Sequence, residues 1–402
     1  MIAGRTNSTL PTLDELEVKD RRVLVRADLN VPLENGAITD DLRVRASVPT
    51  LEALLERGAR LAVCSHLGRP KGKVSEELRL APVGTRLAEL LRTDVLALDE
   101  VVGREVERAC ASDAQVVLLE NLRFESGEES NDAGFTAALA GLAQAYVNDA
   151  FGSSHRAHAS VVGVPALLPC AAGLLLSREV AELERLLEDP DRPFVAVLGG
   201  AKVSDKLGVI NNLLERVDSV VVGGAMAFTL LAAQGHDVGG SRVELDRLDE
   251  IRSTLEEAEA KGVVVLLPSD VMAAEGIEKG SPHEVVPLGA IGARMGVDIG
   301  PETATRFSAV IAAARTVLWN GPMGIFEIDA YAAGTKAVAR ALAEATSNGA
   351  FTVAGGGDSA AALVELGMTD AVSHLSTGGG ASLELLEGRE LPGVAALRKG
   401  ES

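Results

Sequence analysis

Short apolar runs alternate with longer amphipathic stretches along the whole chain, and almost every run breaks into a polar or glycine-rich loop. The runs are residues 23–27, 61–64, 116–119, 145–147, 195–198, 219–222, 263–266, 317–319 and 351–354. Runs this short and this continuous suit strands buried on both faces. The stretches between them carry helical spacing; in 42–57, Val44, Val48, Leu51, Leu54 and Leu55 recur at three- and four-residue intervals. Strand–helix alternation predicts parallel sheets with helices on both faces, an α/β doubly wound class. Aromatic residues are only 3% of the chain, so Val, Leu, Ile and Ala must fill the cores. At 402 residues, two domains of similar size are expected. The charged, Pro-rich break Leu187-Glu188-Asp189-Pro190-Asp191-Arg192-Pro193 marks their junction, giving domains 1–186 and 187–388.

Open α/β sheets bind ligands beyond the carboxyl ends of their strands, so the loops there carry the functional information. In the first half these loops are basic. Asp28 and Asn30 follow the first run; His66 and Arg69 follow the second; Arg123 and Arg156 follow later ones, and Arg43 opens the first helical stretch. A guanidinium can donate two parallel hydrogen bonds to a carboxylate or phosphate. Several converging forks would hold a multiply charged acid in one pose, with Asp28 and Asn30 reading its hydroxyls. One such Arg is ordinarily a surface residue with an acidic partner; five basic residues at strand ends are not. Arg26 lies inside a strand and reads as structural, and His155 and His158 are assigned no chemistry.

The second half offers glycine instead. Gly199-Gly200-Ala201-Lys202-Val203-Ser204-Asp205-Lys206 follows one run; its glycines let backbone amides approach a ligand. Ser204 or Asp205 is suited to cap the next helix, and a helical turn would put Lys202 and Lys206 on one side. Gly355-Gly356-Gly357-Asp358-Ser359 leads into a helix over 360–366, and Thr377-Gly378-Gly379-Gly380 into another over 381–386. Helix N-termini attract phosphate, and Asp358 is placed to hold Mg²⁺, which accepts one or two carboxylates alongside phosphate oxygens. Neither GxxxxGK[ST] nor a GxGxxG after the first strand of either half occurs, which argues against a P-loop and a dinucleotide fold.

Other classes recede on charge and composition. A net charge of −20 disfavours nucleic acid and anionic membranes as partners. Cys64, Cys110 and Cys170 form no CxxC pair and are expected to be small buried hydrophobes in a reducing compartment. The first residues lack an apolar signal core, and the longest uncharged run, 161–176, is too short to span a bilayer, so a cytoplasmic location is expected.

Taken together the motifs closely resemble the phosphoglycerate kinase family. They stand as Arg26-Ala27-Asp28-Leu29-Asn30-Val31-Pro32, Ser65-His66-Leu67-Gly68-Arg69-Pro70, Glu120-Asn121-Leu122-Arg123-Phe124 and Asn148-Asp149-Ala150-Phe151-Gly152 with His155-Arg156-Ala157-His158. The double-lysine loop, Trp319-Asn320-Gly321-Pro322-Met323-Gly324, the Gly-Gly-Gly-Asp loop and Ser373-His374-Leu375-Ser376-Thr377-Gly378-Gly379-Gly380-Ala381-Ser382 complete the set. The departures, Ala27, Leu29 and Ser153-Ser154 in place of a commoner Thr-Ala, concern packing.

The resemblance implies reversible phosphoryl transfer between ATP and the carboxylate of 3-phosphoglycerate, giving 1,3-bisphosphoglycerate and ADP. It assigns Asp28, Asn30, Arg43, His66, Arg69, Arg123 and Arg156 to the phosphoglycerate. Lys202, Lys206, Gly296, Glu327, Gly356, Gly357, Asp358 and Ser359 go to the nucleotide, with Glu327 on the ribose and Asp358 on the metal. It also implies a monomer whose tail, 389–402, returns to the first domain. Phosphoryl transfer needs positioning and charge neutralisation rather than a protein nucleophile. Arg43 and Lys202, with the amides of Gly378, Gly379 and Gly380, are therefore expected to stabilise the migrating group. His66 is expected to bind, not to act as acid or base, and a split site requires closure of the two domains.

Overall fold

The computed structural model describes residues 10–399. The first nine residues of the expected first domain and the last three of the expected tail lie outside them. The chain divides within one helix, between Ala181 and Glu182, and again between Arg389 and Glu390, into two compact units.

In the first unit the strands are β1 (Arg22–Arg26), the hairpin β2 (Leu33–Glu34) and β3 (Ala37–Ile38), β4 (Arg60–Cys64), β5 (Val95–Ala97), β6 (Val116–Leu118), β7 (Ala145–Asn148) and β8 (Cys170–Ala172). Its helices are α1 (Leu42–Glu56), α2 (Ala81–Leu91), α3 (Arg104–Ala111), α4 (Ser126–Glu129) and α5 (Ala133–Ala140); α6 (Leu174–Glu188) crosses the division. The main sheet is parallel, in the order β5-β6-β4-β1-β7-β8. Connections leave β1 toward β4 and β7 toward β8, so strand order reverses between β1 and β7. Val23, Val25, Leu61, Val63, Val116 and Leu118 meet Leu51, Leu54, Val83 and Leu87 in the core. Each fully buried Val or Leu contributes roughly 1.5–3 kcal/mol.

The second unit repeats this plan. Its strands are β9 (Phe194–Leu198), β10 (Ser219–Val222), β11 (Val264–Leu266), β12 (Asp270–Ala274), β13 (His283–Pro287), β14 (Met295–Ile299), β15 (Thr316–Asn320), β16 (Phe351–Gly355) and β17 (His374–Leu375). Its helices are α7 (Leu207–Leu213), α8 (Met226–Ala233), α9 (Leu248–Ala260), α10 (Pro301–Ala312), α11 (Ala333–Ser347), α12 (Gly357–Glu365) and α13 (Gly380–Leu386). The parallel order β11-β10-β9-β15-β16-β17 reverses between β9 and β15, and β13-β12-β14 form a separate antiparallel sheet. The Pro-rich segment read as a junction connects α6 to β9. α14 (Pro392–Lys399) packs on the first unit: Gly393 N–H donates to Ser154 O at 2.8 Å and Leu397 is buried.

The doubly wound parallel architecture expected from the alternation is present. Three local expectations are corrected. Residues 202–206 form a turn, not a helix, so the two lysines are not paired by helical spacing, and α7 starts after Lys206 with no side-chain cap. Ser204 donates instead to Glu244 at 2.5 Å. α12 begins at Gly357, three residues before the expected start, so Asp358 lies inside its first turn. Cys64 and Cys110 are buried, but Cys170, on the edge strand β8, is only half-buried.

Candidate functional site

At the strand-order reversal of the first sheet, the loops after β1, β4 and β6 are stitched together by side chains. Ser65 Oγ accepts from Leu29 N–H (2.9 Å) and donates to Ala27 O (2.9 Å). Asn30 Oδ1 accepts from Gly68 N–H at 2.9 Å, which ties the loop after β1 to the loop after β4. Asn121 Oδ1 accepts from Leu67 N–H and Arg123 N–H (both 3.1 Å), and its Nδ2 donates to Leu67 O at 2.7 Å. Buried Glu120 anchors this loop through the amides of Leu80 and Asn121 and an ion pair to Arg79 at 3.1 Å.

The basic residues sit on this frame. Arg43, in the first turn of α1, pairs with Asp28 at 3.0 Å. Arg123 is buried, donates to Gly68 O at 2.6 Å and lies 3.2 Å from Glu129. Arg156 Nε donates to His155 Nε2 at 3.2 Å. His66 lies among them: burial, and then the charges of Arg26, Arg123, Arg43 and Arg156, hold its pKa well below the ordinary value. Burial, and then the charges of Arg123, Arg156 and Arg26, pushes His158 down to about 4; burial, and then the charge of Arg156, pushes Arg123 down to about 10, with Glu129 opposing the shift. Both imidazoles are thus neutral at neutral pH, and four guanidiniums share one small region with three carboxylates, Asp28, Glu128 and Glu129, leaving an excess of positive charge that attracts an anion. Arg69, three residues after His66, is exposed and is not among the charges acting on it.

In the second unit the reversal point is built from peptide groups. Gly199 N–H donates to Asn320 O (3.0 Å), Gly200 N–H to Pro322 O (3.0 Å) and Gly224 N–H to Met323 O (2.9 Å), so the loops after β9, β10 and β15 lie backbone on backbone. A Cβ at Gly199 would stand 2.1 Å from Pro322 O. Gly356 turns the chain from β16 into α12 with φ of 93°, open to glycine at little cost. Ser359 Oγ accepts from Gly321 N–H at 2.7 Å, and Asn320 Nδ2 donates to Gly355 O at 2.9 Å. Lys206 Nζ donates to Asn320 O at 3.3 Å; burial lowers its pKa to about 8, with Asp358 and Asp205 opposing the shift. Lys206, Asp358, Gly356, Gly357 and Ser359 therefore meet at one place.

Lys202 is exposed, and its charge acts on Glu244. Gly379 (φ 53°) precedes α13, whose loop is tied to β16 by Ser376 N–H donating to Ala354 O at 2.8 Å. Gly296, on β14, lies under the ring of Phe228, and its N–H donates to Ser241 Oγ at 2.9 Å. Exposed Glu327 belongs to the loop after β15, which is fastened to β14 by Ile325 N–H donating to Val297 O at 3.0 Å. That fastening relates Gly296 to Glu327. Sequence reading missed Ser65, Asn121 and the His66 contact of Arg26; the first two stand in the motifs, but spacing does not say which partners they hold.

No group of three or more metal-ligating side chains occurs among the described residues. Asp358 is one exposed carboxylate beside the glycine loops, which suits an ion that completes its shell with phosphate oxygens and water. A separate cavity of about 680 Å³ opens at the amino ends of β5 and β6, lined by exposed Arg92, Asp94, Leu96, Asp113 and Gln115. It contains none of the residues singled out above.

The sequence profile of the family Phosphoglycerate kinase matches residues 13–389. The chain is 56% identical to the phosphoglycerate kinase of Thermomicrobium roseum over 389 residues, 96% of this chain and 98% of the relative. It is 54% identical to that of Moorella thermoacetica with the same coverage. The structure of phosphoglycerate kinase from Coxiella burnetii superposes with a TM-score of 0.86 at 40% identity, covering 97% of this chain and 99% of that one.

Proposed function

The chain belongs to the phosphoglycerate kinase family, and we propose that its two units divide the reaction, side chains of the first holding the acid and the backbone of the second holding the nucleotide. The protein transfers a phosphoryl group reversibly between ATP and the carboxylate of 3-phosphoglycerate, giving 1,3-bisphosphoglycerate and ADP in glycolysis and gluconeogenesis. The guanidinium cluster about His66 carries the assignment of the acid. Asp28, Asn30, Arg43, His66, Arg69, Arg123 and Arg156 bind phosphoglycerate. Lys202, Lys206, Gly356, Gly357, Asp358 and Ser359 bind the phosphates, while Gly296 and Glu327 flank the nucleoside.

The attacking group is the substrate's own carboxylate, ionised at neutral pH, so no general base is needed. Neutral His66 agrees with a binding role. Arg43 and Lys202, with the amides of Gly379 and Gly380, meet the charge on the migrating phosphoryl. Mg²⁺ bound with the nucleotide at Asp358 would neutralise phosphate charge. Because the groups are divided between two units, turnover requires a hinge movement that joins them and excludes water.

We also infer a cytoplasmic monomer that binds neither nucleic acid nor membrane. The net charge of −20 supports this, and no helix among the described residues is long and apolar enough to cross a membrane. A coupled assay for 1,3-bisphosphoglycerate tests the activity. Formation of product from 3-phosphoglycerate, and not from acetate or aspartate, is expected; the reverse preference refutes the substrate assignment.

A further inference from the structure

The strand-order reversal of the first sheet carries one residue for which the reaction above has no use. Arg26 closes β1, is 1% exposed, and has no carboxylate partner among its hydrogen bonds. Its Nε donates to Ser160 Oγ at 2.9 Å, Nη1 to Ala27 O, and Nη2 lies 3.0 Å from His66 Nδ1 and 3.4 Å from Ser153 Oγ. Ser160 is fixed in turn by buried Glu128 of α4. Its Oγ donates to Glu128 Oε1 at 2.6 Å and its N–H to Oε2 at 3.0 Å.

We propose that Arg26 is a positioning residue that locks His66 as its Nε2–H tautomer and so presents the imidazole to the substrate as a hydrogen-bond donor. This rests on the reading that puts His66 in the phosphoglycerate site. The direction of each bond follows from groups that cannot reverse their roles. A guanidinium has five donors, no acceptor, and does not lose its proton. His66 Nδ1 must therefore offer its lone pair to Arg26, and a neutral imidazole with a bare Nδ1 carries its proton on Nε2. Ser160 gives its hydroxyl hydrogen to Glu128, so it meets Arg26 Nε with a lone pair. Both contacts that orient the guanidinium thus require it to donate.

The consequence is chemical. An Nδ1–H tautomer would turn a bare Nε2 toward the ligand and repel an anionic oxygen. An imidazolium would need a second proton at Nδ1, against Arg26. Burial and the charges of Arg26, Arg123, Arg43 and Arg156 disfavour that protonation as well. Arg26 leaves His66 one arrangement, a neutral donor, which suits a carboxylate or phosphate oxygen.

Two-bond ¹H–¹⁵N correlation spectra of the full-length protein labelled at histidine test this, with His66→Gln assigning the signal. The expected pattern in the free protein is a protonated Nε2 and a bare Nδ1, unchanged from pH 8 to pH 5. Adding 3-phosphoglycerate should shift Nε2 far more than Nδ1. Arg26→Met should let His66 titrate or populate the second tautomer, and raise KM for 3-phosphoglycerate about tenfold, the scale of one hydrogen bond to a charged group, with KM for the nucleotide unchanged. Arg26→Lys, which also only donates, should restore the single tautomer. A protonated Nδ1 in the wild-type protein overturns the proposal whether or not the variants fold. So does Arg26→Met with His66 unaltered in tautomer and titration. An Nε2–H tautomer that does not respond to 3-phosphoglycerate overturns instead the placing of His66 in the substrate site.

Discussion

At the reversal point of the first sheet the polar groups are side chains that already hold one another, as Arg43 holds Asp28 and Arg123 holds Gly68 O. At the corresponding point of the second sheet they are peptide groups, with Gly199, Gly200 and Gly224 bonded to the carbonyls of 320, 322 and 323. The two places share a topology and differ in what can be removed from them. A clamp of guanidiniums is broken by deleting side chains. A cradle of amides is broken by adding one, because its function is close approach. The same substitution, to alanine, should therefore act in opposite ways on the two units.

The largest expected effect is Arg43→Ala. The loss of a charge-stabilising contact to the transferred group should lower kcat by about 100-fold or more, with nucleotide binding retained. Stopped-flow turnover at saturating substrates measures it, and near wild-type kcat would remove Arg43 from the transition state. Next is Gly199→Ala. Its Cβ meets a backbone carbonyl that no rotamer change can clear, so the loops after β9 and β15 must separate. A cost of about 1–3 kcal/mol is typical of such overpacking, which predicts roughly a tenfold rise in KM for ATP with KM for 3-phosphoglycerate unaffected. Equal changes in both constants would break the contrast between clamp and cradle.

That contrast was half legible in the sequence. The parallel strands announced themselves because burial on both faces leaves no polar interruption, as in Phe194-Val195-Ala196-Val197-Leu198. The β12–β14 sheet did not. β13 reads His283-Glu284-Val285-Val286-Pro287 and buries only Val286, so it lacks any continuous apolar signature. The arginines and glycine loops were found because their residue types are informative at strand ends. Which arginine touches which partner was not, since Arg26 and His66 are forty positions apart and are joined only by the register of β1 on β4. Lys202 and Lys206 were misjudged because spacing four apart matters only where a helix exists.

A smaller effect concerns the charges around the cradle. Asp358→Ala should raise KM for Mg-ATP by about tenfold, the usual scale for losing a charged contact, and weaken the magnesium dependence; unchanged magnesium dependence would remove Asp358 as a ligand. Lys206, buried to a pKa of about 8, is protonated below that value and neutral above it. KM for the nucleotide should therefore rise as pH passes from 7.5 to 9, whereas KM for 3-phosphoglycerate, bound by guanidiniums and a neutral imidazole, should stay level. A parallel rise in both would mean that the two sites titrate alike.

The smallest effect on turnover lies away from both sites and compares one buried carboxyl in each unit. Burial raises Asp149, in the first, and Asp298, in the second, to about 7 each. In the unfolded chain both should titrate near 3.9. Between about pH 4 and pH 7 the folded protein binds the extra protons, so stability falls as pH rises through that window and is level above it. The two carboxyls differ in their bonds. Asp149 accepts from Leu175 and Leu176 through Oδ1 (2.9 and 3.4 Å), with the Thr50 hydroxyl also favouring its charged form, while its buried Oδ2 meets no partner. Asp298 uses both oxygens, Oδ1 for Ile299 N–H (2.9 Å) and Oδ2 for Gly334 N–H (2.7 Å). Asp149→Asn keeps its two amide bonds and loses the charge, so the first unit should be steadier than wild type at pH 8. Asp298→Asn must abandon one amide, so the second unit should be weaker than wild type at pH 5 and gain less at pH 8. The single tryptophan, Trp319 in β15, reports the second unit by fluorescence, and calorimetry reports the whole chain. If Asp149→Asn leaves the pH profile of melting untouched, the Asp149 carboxyl is not carrying the proton assigned to it. If Asp298→Asn behaves like Asp149→Asn, the two-oxygen bonding of Asp298 is not what separates the units.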